Sequence, residues 1–403
     1  MLLSFLGDPV PSSGEWVAFD RRNARMNASM DLPQLNQDER LRYARHLSIP
    51  GVGEEGQRKL KAASVLLIGT GGLGSPAALY LAAAGVGRIG LVDDDKVDRS
   101  NLQRQILHGE PWIGEPKLAS AQHRLREVNP LIRIEAHSSR FTPRNAEAIA
   151  SEYDLILDGS DNFPTRFLTN DICFFQKKPC VYGSIFRFEG QSTVFWPDRG
   201  GPCYRCMLPS LPPPGAAPSC EEAGVLGVLP GIIGSLQAME AIKILLGIGE
   251  PPLGELLCYD ALRTSFRTLR LAKDPSCRLC GPEASIYSHD NSETRSTPDC
   301  NMTDIPSISV DELAERLKHN PATLLIDVRQ PDEHAEAAIP GSRLIPLGEI
   351  ADRINEIPRE GEVLVHCKLG GRSAKAVTFL QAQGIQGATN VEGGIEAWLQ
   401  RGS

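Results

Sequence analysis

Short apolar runs alternate with stretches that suit helices along the first half of the chain. An apolar run at residues 63–68 is followed by a glycine-rich turn, and the small residues at 75–84 then predict a helix. Further strands are predicted at residues 88–92, 132–136, 154–158 and 179–184, with another helix near residues 117–128. Strands that alternate with helices are typical of a parallel, doubly wound sheet. The pattern therefore predicts a Rossmann-like α/β domain.

A second, shorter α/β rhythm follows a polar stretch that is rich in Ser, Asp and Asn. Strands are predicted at residues 324–328, 363–367 and 389–391, and a helix is expected to begin near Ser373. The polar stretch itself has the composition of a linker. The chain is therefore predicted to have four parts: a disordered tail at 1–30, a large domain at 31–282, a linker at 283–303 and a small α/β domain at 304–403.

Charge and cysteine content narrow the class of protein. Lys and Arg total 42, Asp and Glu total 50, and the formal net charge is −8, which argues against a dedicated nucleic-acid binder or a protein of anionic membrane surfaces. A long apolar helix is expected at residues 232–246, but it is shorter than the roughly 18 residues that a membrane span needs. Ten cysteines are too sparse for a disulfide scaffold, and no export signal is found. We therefore expect reduced thiols and a cytoplasmic location.

A glycine-rich turn is the first candidate binding site. Gly69, Gly71 and Gly74 form a G-x-G-x-x-G pattern between a predicted strand and a predicted helix. Glycines permit a tight turn and a close approach of phosphate, and the helix N-terminus supplies N–H donors. Asp93 ends the next predicted strand, where an acidic residue can bind a ribose hydroxyl. This signal alone favours a dinucleotide, so an NAD-dependent oxidoreductase is one alternative.

The polar residues that follow favour a triphosphate. Carboxyl ends of parallel strands converge on one crevice, and five polar side chains are predicted near it: Asn101, Arg104, Lys117, Asp158 and Asp161. Two cations with carboxylates suit ATP and Mg²⁺, because the cations neutralise phosphate charge and the carboxylate oxygens bind the metal. The alternative interpretation is a set of surface salt bridges.

These motifs together resemble the MoeB/ThiF family, which is related to the ubiquitin-activating enzymes. The resemblance covers nearly all of residues 35–285 and is most specific in the run SNLQRQILH at residues 100–108. It implies an ATP site built from Gly69, Gly71, Gly72, Gly74, Asp93, Asn101, Arg104 and Lys117, with Asp93 on the ribose and the last three on the phosphates. It also implies that Asp161 positions Mg²⁺. Arg45 would reach the phosphates of a neighbouring subunit, which implies a homodimer.

Two C-x-x-C pairs predict a metal site. Cys203 with Cys206 and Cys277 with Cys280 each place two thiolates on one side of a turn, and two such pairs complete the tetrahedral sphere of Zn²⁺. A redox C-x-x-C pair is the rival interpretation, but that motif normally opens a helix after a strand. All four ligands would come from the protein, so the zinc is expected to be structural.

Cys367 is the candidate nucleophile of the small domain. It lies after a predicted strand in the loop HCKLGGR, where backbone N–H groups can surround one anionic sulfur. The helix N-terminus, Lys368 and Arg372 are expected to lower the pKa of the thiol. The region from about Asp304 to Trp398 resembles a rhodanese domain. Its C-x-x-x-x-R loop is one residue shorter than that of a phosphatase of related fold, which favours sulfur over phosphate.

The two resemblances imply a joint activity. The large domain would adenylate the terminal glycine of a small ubiquitin-like sulfur carrier that ends in Gly-Gly. A persulfide on Cys367, loaded by a donor such as a cysteine desulfurase or thiosulfate, would then deliver sulfur and give a thiocarboxylate. Cys220 is a candidate second thiol, although Glu221 and Glu222 beside it are expected to raise its pKa. Molybdopterin synthesis is the leading pathway by analogy, and a non-catalytic sulfur-relay or carrier-docking protein is the other alternative.

Overall fold

The computed structural model describes residues 32–212, 224–291, 294, 305–320 and 323–401. These residues form two compact units, of which the first carries the large sheet and the second the small one. The predicted tail lies outside the described residues. Each unit has its own sheet and its own hydrophobic core, so the two are described separately.

The first unit is built on a sheet of eight strands within the described residues, in the order β3-β2-β1-β4-β5-β6-β7-β8. The strands are β1 Ser64–Ile68, β2 Arg88–Val92, β3 Arg133–His137, β4 Leu155–Asp158, β5 Cys180–Phe186, β6 Glu189–Phe195, β7 Glu255–Asp260 and β8 Ser265–Arg270. The first five strands are parallel. Strands β6, β7 and β8 then continue the sheet in antiparallel fashion. The sheet is therefore mixed, whereas the sequence pattern predicted only its parallel half.

Helices cover both faces of this sheet. They are α1 Gln37–Arg42, α2 Ala44–Leu47, α3 Gly53–Ala62, α4 Gly74–Ala84, α5 Lys117–Val128, α6 Ala146–Ser151, α7 Phe163–Phe175, α8 Tyr204–Met207 and α9 Val228–Leu246. Alternate strand residues such as Leu67 and Leu66 enter different cores, the first with α4, α5 and α9 and the second with α6 and α7. This alternation is the period of two that a sheet buried on both faces requires.

Helix α9 is longer than the sequence pattern predicted. It contains 19 residues, and by length and composition alone it is apolar enough to cross a membrane. About half of that span is buried inside the unit. The helix packs against α4, β5 and β6, which is the position of a core helix.

The second unit has a parallel sheet of five strands in the described residues, in the order β11-β10-β12-β13-β9. The strands are β9 Ser307–Ile308, β10 Leu324–Asp327, β11 Arg343–Leu344, β12 Val363–His366 and β13 Ala388–Val391. The helices are α10 Val310–His319, α11 Pro331–Glu336, α12 Gly371–Ala382 and α13 Gly394–Arg401. Ile326 and Leu325 again enter opposite cores, so both faces of this sheet are covered as well.

Strand register gathers the predicted site residues at one edge of each sheet. Ile68 pairs with Val92 on one side and with Asp158 on the other. The glycine turn, Asp93 and the loop after Asp158 therefore leave the first sheet together, at its carboxyl edge. In the second unit Asp327 pairs with His366, which places the Cys367 loop beside the end of β10.

Candidate functional site

The backbone of the glycine turn lies in close contact with the backbone of the loop after β4. Gly69 has φ +86°, and a Cβ there would lie 3.1 Å from the carbonyl oxygen of Gly159. A Cβ on Gly74 would collide with the carbonyl oxygen of Gly69. Any larger residue at either position would push apart β1, α4 and the loop after β4. The turn thus leads directly from β1 into the N-terminus of α4, as the sequence pattern predicted.

Asp93 is oriented by the glycine turn. Its Oδ2 accepts hydrogen bonds from the backbone N–H of Thr70 at 2.8 Å and from the hydroxyl of Thr70 at 2.7 Å. Its Oδ1 accepts one bond, from the backbone N–H of Asp95 at 3.0 Å. A carboxylate offers about four lone-pair positions. Oδ1 therefore keeps acceptor capacity for a hydroxyl such as that of a ribose.

Lys117 is a buried cation at this edge. It is only 6% exposed, and its Nζ lies 2.8 Å from Oδ2 of Asp95. Burial opposes its charge, but the carboxylates of Asp93, Asp95 and Asp161 outweigh burial and raise the pKa of Lys117. The ammonium group is therefore charged across the neutral range and lies among the predicted nucleotide-binding carboxylates.

The loop after β4 supplies further carboxylates. Asp158 is buried, its Oδ1 accepts from the N–H and the hydroxyl of Ser160, and burial raises the pKa of this carboxyl group. Arg166 on α7 donates to the carbonyl oxygen of Ser160 at 3.1 Å and lies near both Asp158 and Asp161. Asp161 itself is exposed to solvent. The carboxylates of Asp93, Asp94 and Asp95 also lie within 4.8 Å of one another, without Asp161.

The remaining residues predicted to bind the nucleotide differ in their distance from the glycine turn and in their exposure to solvent. Arg104 lies over the turn, with its Cγ 3.7 Å from a Cβ built on Gly72, and its guanidinium donates to the carbonyl oxygen of Ser100. Asn101 is buried in the short 3₁₀ turn Arg99–Asn101. Arg45 is exposed on α2, and no ion pair of its guanidinium is found in the part of the chain that the structure describes. The structure thus brings the turn, Asp93, Arg104 and Lys117 together, and it leaves Arg45 on the surface.

No role was predicted from the sequence for four polar residues of this edge, namely Thr70, Asp95, His108 and Arg166. Thr70 is an unspecified position of the glycine pattern, and Asp95 forms the ion pair with Lys117 across distant sequence. His108 and Arg166 stand within motifs that the resemblance quoted or adjoined, but only the fold shows what they contact.

The four C-x-x-C cysteines form one cluster. Sγ–Sγ distances are 3.9 Å for Cys203–Cys206, 3.6 Å for Cys203–Cys277 and 3.4 Å for Cys206–Cys280. Zn–S bonds of 2.3 Å in a tetrahedron require sulfur separations of about 3.8 Å. Four sulfurs at these distances fit a structural zinc ion. Cys203 caps the short helix α8, which is the setting expected of a redox pair, but the convergence of both pairs favours the metal.

A buried ion pair fixes the first cysteine pair, Cys203 and Cys206, to α7. Arg205 stands between two of the cysteines and donates from Nε and from one terminal nitrogen to the two oxygens of Asp171, both at 2.8 Å. Both side chains are 0% exposed. The amide of Asn291 also donates to Asp171, at 3.0 Å. Asn291 falls in the predicted linker, so this part of the linker contacts the first unit.

The Cys367 loop forms a sulfur cradle in the second unit. The backbone N–H of Gly370 donates to Sγ of Cys367 at 3.1 Å, and the hydroxyl of Ser373 lies 3.4 Å from the same sulfur. The cations expected around the thiol meet carboxylates instead. Arg372 forms two bonds of 2.6 Å with Glu333, and Lys368 lies 3.5 Å from Glu396.

Cys367 is more buried than expected of an open nucleophile, since the residue is 1% exposed. Beneath it, Asp327 accepts from Arg329 and lies 2.8 Å from Nδ1 of His334. His366 is fully buried next to Asp327, and burial lowers its pKa to about 4. The loop therefore rests on a charged cluster with His366 in its neutral form.

Three further cysteines of the described residues lie outside these two sites. Cys220, predicted as a second reactive thiol, lies outside the described residues. Cys173, Cys180 and Cys258 are buried free thiols in the core of the first unit.

Comparison with protein-family models finds two matches. The ThiF family matches residues 43–279, and the rhodanese-like domain matches residues 309–401. Both resemblances drawn from the sequence motifs are confirmed by these matches.

Two curated relatives and one solved structure illustrate what the chain is similar to. The probable adenylyltransferase/sulfurtransferase MoeZ of Mycobacterium tuberculosis is 44% identical over 382 residues, which cover 91% of this chain and 94% of the relative. The sulfur carrier protein adenylyltransferase of Thermus thermophilus is 54% identical over 246 residues, covering 60% of this chain and 91% of the relative. A crystal structure of E. coli MccB aligns with a TM-score of 0.53 at 21% identity, covering 61% of this chain and 76% of that one, which supports the fold alone.

Proposed function

The chain belongs to the ThiF family and carries a rhodanese-like domain, and we propose that it activates a ubiquitin-like sulfur carrier with ATP and then delivers sulfur to it. The protein is an enzyme, an adenylyltransferase and sulfurtransferase, as its relatives along most of the chain are named. We call the carboxyl edge of the first sheet, with the glycine turn, Asp93 and Lys117, the nucleotide edge. The observation that carries the proposal is that one chain holds both this nucleotide edge and a sulfur cradle around Cys367.

In the adenylation step the terminal carboxylate of the carrier attacks the α-phosphate of ATP and releases pyrophosphate. The glycine turn and the N-terminus of α4 donate N–H groups to the phosphates, and Asp93 binds the ribose. Lys117 and Arg104 offset the negative charge that builds up on the phosphate oxygens. Asp161 would hold Mg²⁺, which supplies further charge neutralisation when bound. The zinc held by the four cysteines would stabilise the fold without contacting substrate.

In the sulfur step the outer sulfur of a Cys367 persulfide attacks the acyl-adenylate carbonyl and AMP leaves. A second thiol then attacks the inner sulfur, which forms a disulfide and releases the carrier as a thiocarboxylate. The N–H of Gly370 and the hydroxyl of Ser373 stabilise negative charge on the sulfur of Cys367. The outer sulfur of the persulfide would lie about 2 Å from Sγ. Cys220 is the proposed second thiol.

We place the carrier on exposed apolar side chains at the carboxyl edge of the first sheet. Strand β5 continues past Tyr182, the partner of Asp158, to Phe186 at the hairpin tip. Phe186, Phe188, Leu262 and Phe266 are exposed there, and the N–H of Ala261 donates to the carbonyl oxygen of Phe188. Arg187 and Arg263 flank these side chains, so an apolar patch with acidic neighbours would be complementary.

The remaining parts of the assignment follow the family resemblance. The enzyme would act as a homodimer in which Arg45 reaches the phosphates of the partner subunit. The sulfur donor would be a cysteine desulfurase or thiosulfate, the location cytoplasmic, and the pathway molybdopterin synthesis.

ATP–pyrophosphate exchange tests the first half. The full chain should exchange labelled pyrophosphate into ATP only when a Gly-Gly-ending carrier is added. Carrier truncated by its last glycine is the matched control and should give none. Exchange that does not depend on the carrier, or no exchange with any ubiquitin-like carrier, would overturn the adenylation proposal.

Mass spectrometry tests the second half. Incubation with a desulfurase and cysteine, or with thiosulfate, should add one sulfur atom to Cys367. Cys367→Ala should abolish thiocarboxylate formation and leave pyrophosphate exchange unchanged, whereas Cys258→Ala should change neither. Thiocarboxylate formed at the full rate by Cys367→Ala would contradict this path.

Phe188→Ser tests the docking surface. We expect a higher KM for the carrier with an unchanged KM for ATP, because the side chain lies on the hairpin tip beyond the sheet edge. Leu131→Ser, an exposed apolar residue elsewhere on the unit, is the control. An unchanged carrier KM for Phe188→Ser and Leu262→Ser would exclude this surface.

A further inference from the structure

His108 lies buried beneath the glycine turn, and both of its ring nitrogens have partners. Nε2 lies 3.1 Å from the carbonyl oxygen of Thr70, and Nδ1 lies 3.0 Å from the hydroxyl oxygen of Ser120. Ser120 is on α5, the helix that begins with Lys117. The ring therefore links the turn to the helix that carries the buried cation.

These partners fix the tautomer of His108. A carbonyl oxygen can only accept, so Nε2 carries the proton and donates to Thr70. Nδ1 then holds a lone pair and accepts from the hydroxyl of Ser120. Burial also lowers the pKa of His108, which agrees with a neutral ring in this tautomer.

The bond to Thr70 fixes two groups of the nucleotide edge. A peptide unit is planar and trans, so holding the carbonyl of Thr70 sets the direction of the N–H of Gly71 on the other side of the same unit. No acceptor for that N–H is found among the residues that the structure describes. The same Thr70 donates through its N–H and its hydroxyl to Asp93.

We propose that His108 is a positioning residue for ATP, which holds the N–H of Gly71 toward the phosphates and Asp93 toward the ribose. His108 touches no reacting atom in this arrangement and acts through Thr70. The inference deepens the proposed adenylation function and rests on it. If the ring only filled space, ATP affinity would not depend on which ring position carries a hydrogen-bond donor. Variants that keep or lose the donor at the Nε2 position can therefore separate the two roles.

Two substitutions separate the two ring nitrogens. The amide nitrogen of Gln stands where Nε2 of His stands, so His108→Gln keeps a donor toward Thr70. The amide nitrogen of Asn stands where Nδ1 stands, so His108→Asn loses that donor. Both variants lose the ring, but Asn is also one methylene smaller than Gln, which loses further packing at a buried site. The free energy of unfolding of each variant is therefore measured beside its ATP affinity, and the difference in affinity reports on the bond to Thr70.

Isothermal titration calorimetry of the full chain with Mg²⁺ and ATP measures the effect without a carrier. We expect His108→Asn to weaken ATP binding about tenfold, the value of one typical hydrogen bond, and His108→Gln to recover binding to within about threefold of wild type. His289→Asn is the matched control, because Nε2 of His289 also bonds a backbone carbonyl, that of Pro143 at 3.1 Å, away from this edge. It should bind ATP as wild type does.

Ser120→Ala gives a second test that does not depend on replacing the ring. Without the Ser120 hydroxyl, Nδ1 loses the bond that holds the ring in line with the carbonyl of Thr70, so ATP binding should weaken by a few-fold. Equal ATP affinities for the Asn and Gln variants of His108 would overturn the inference. If His108→Asn does not fold, Ser120→Ala decides, and an ATP affinity equal to that of wild type would then overturn the inference. A wild-type chain that binds no ATP would instead overturn the proposed function, before any variant is compared.

Discussion

Lys117 shows how a buried cation is kept charged at the nucleotide edge. Asp93, Asp95 and Asp161 raise its pKa against the effect of burial. We expect Lys117→Met, which keeps length and removes charge, to lower kcat/KM of pyrophosphate exchange by about 100-fold or more, the usual cost of one charge-stabilising donor. Because Asp95 is largely exposed, stability should change little. Lys59→Met, which breaks a surface pair with Glu55, is the control, and equal rates for the two variants would exclude the role of Lys117.

His366 predicts an acid sensitivity of the second unit. Its folded-state pKa is about 4, against an ordinary value of 6.5, because burial disfavours the charged ring more than Asp327 favours it. The unfolded chain therefore binds this proton first as pH falls. The stabilisation is complete above pH 6.5 and declines toward pH 4, where the loss reaches roughly 3 kcal/mol.

Calorimetric unfolding of the full chain between pH 7 and 4.5 checks this expectation. His366→Asn should flatten the acid dependence of the transition that belongs to the second unit. His319→Asn, an exposed histidine at the end of α10, should leave that dependence as in wild type. Parallel pH profiles for wild type and His366→Asn would show that His366 does not carry the effect.

At the scale of elements, the Arg205–Asp171 pair joins the segment of Cys203 and Cys206 to α7. Removing one partner of a buried pair leaves an uncompensated charge, so Asp171→Asn should destabilise the first unit by about 3–5 kcal/mol. The double variant Asp171→Leu with Arg205→Met should lower the free energy of unfolding by less than Asp171→Leu and Arg205→Met do when their separate effects are added. The double variant leaves no buried charge without a partner. Urea unfolding and zinc content measure both effects. Arg124→Met, which breaks a helix-surface pair with Glu127, should cost about 0.5 kcal/mol or less, and a similarly small cost for Asp171→Asn would contradict the prediction.

The sequence pattern predicted strands whose residues are all buried and missed strands in which buried and exposed residues follow no clear period. β1, β4 and β12 are buried at every position, so their apolar runs were visible. β8 is exposed at three consecutive positions and β6 begins with polar residues, so neither shows a clear period. Helix α9 begins four residues before its predicted start, because Pro230 and Gly231 stand in its first turn, where proline is tolerated.

At the scale of the whole molecule, the candidate sites divide by how far apart their residues lie in sequence. The glycine turn, the Cys367 loop and the cysteine pairs are local patterns, and each was predictable from spacing. The pairing of Lys117 with Asp95, the bond from His108 to Thr70 and the pair of Glu333 with Arg372 join distant segments. Such contacts depend on strand order and register, which a single sequence does not specify.

Because each unit has its own core, the two activities should survive separation. Residues 32–291 alone should retain carrier-dependent pyrophosphate exchange, and residues 305–401 alone should accept sulfur on Cys367. Thiocarboxylate formation should need both pieces. At micromolar concentration the mixture should be slower than the intact chain by about 100-fold or more. The reason is that the linker predicted at 283–303 would tether the two units at an effective concentration near the millimolar range. Initial rates at increasing concentrations of the pieces measure this. A mixture as fast as the intact chain would show that the two units act as independent enzymes, with the carrier diffusing between them.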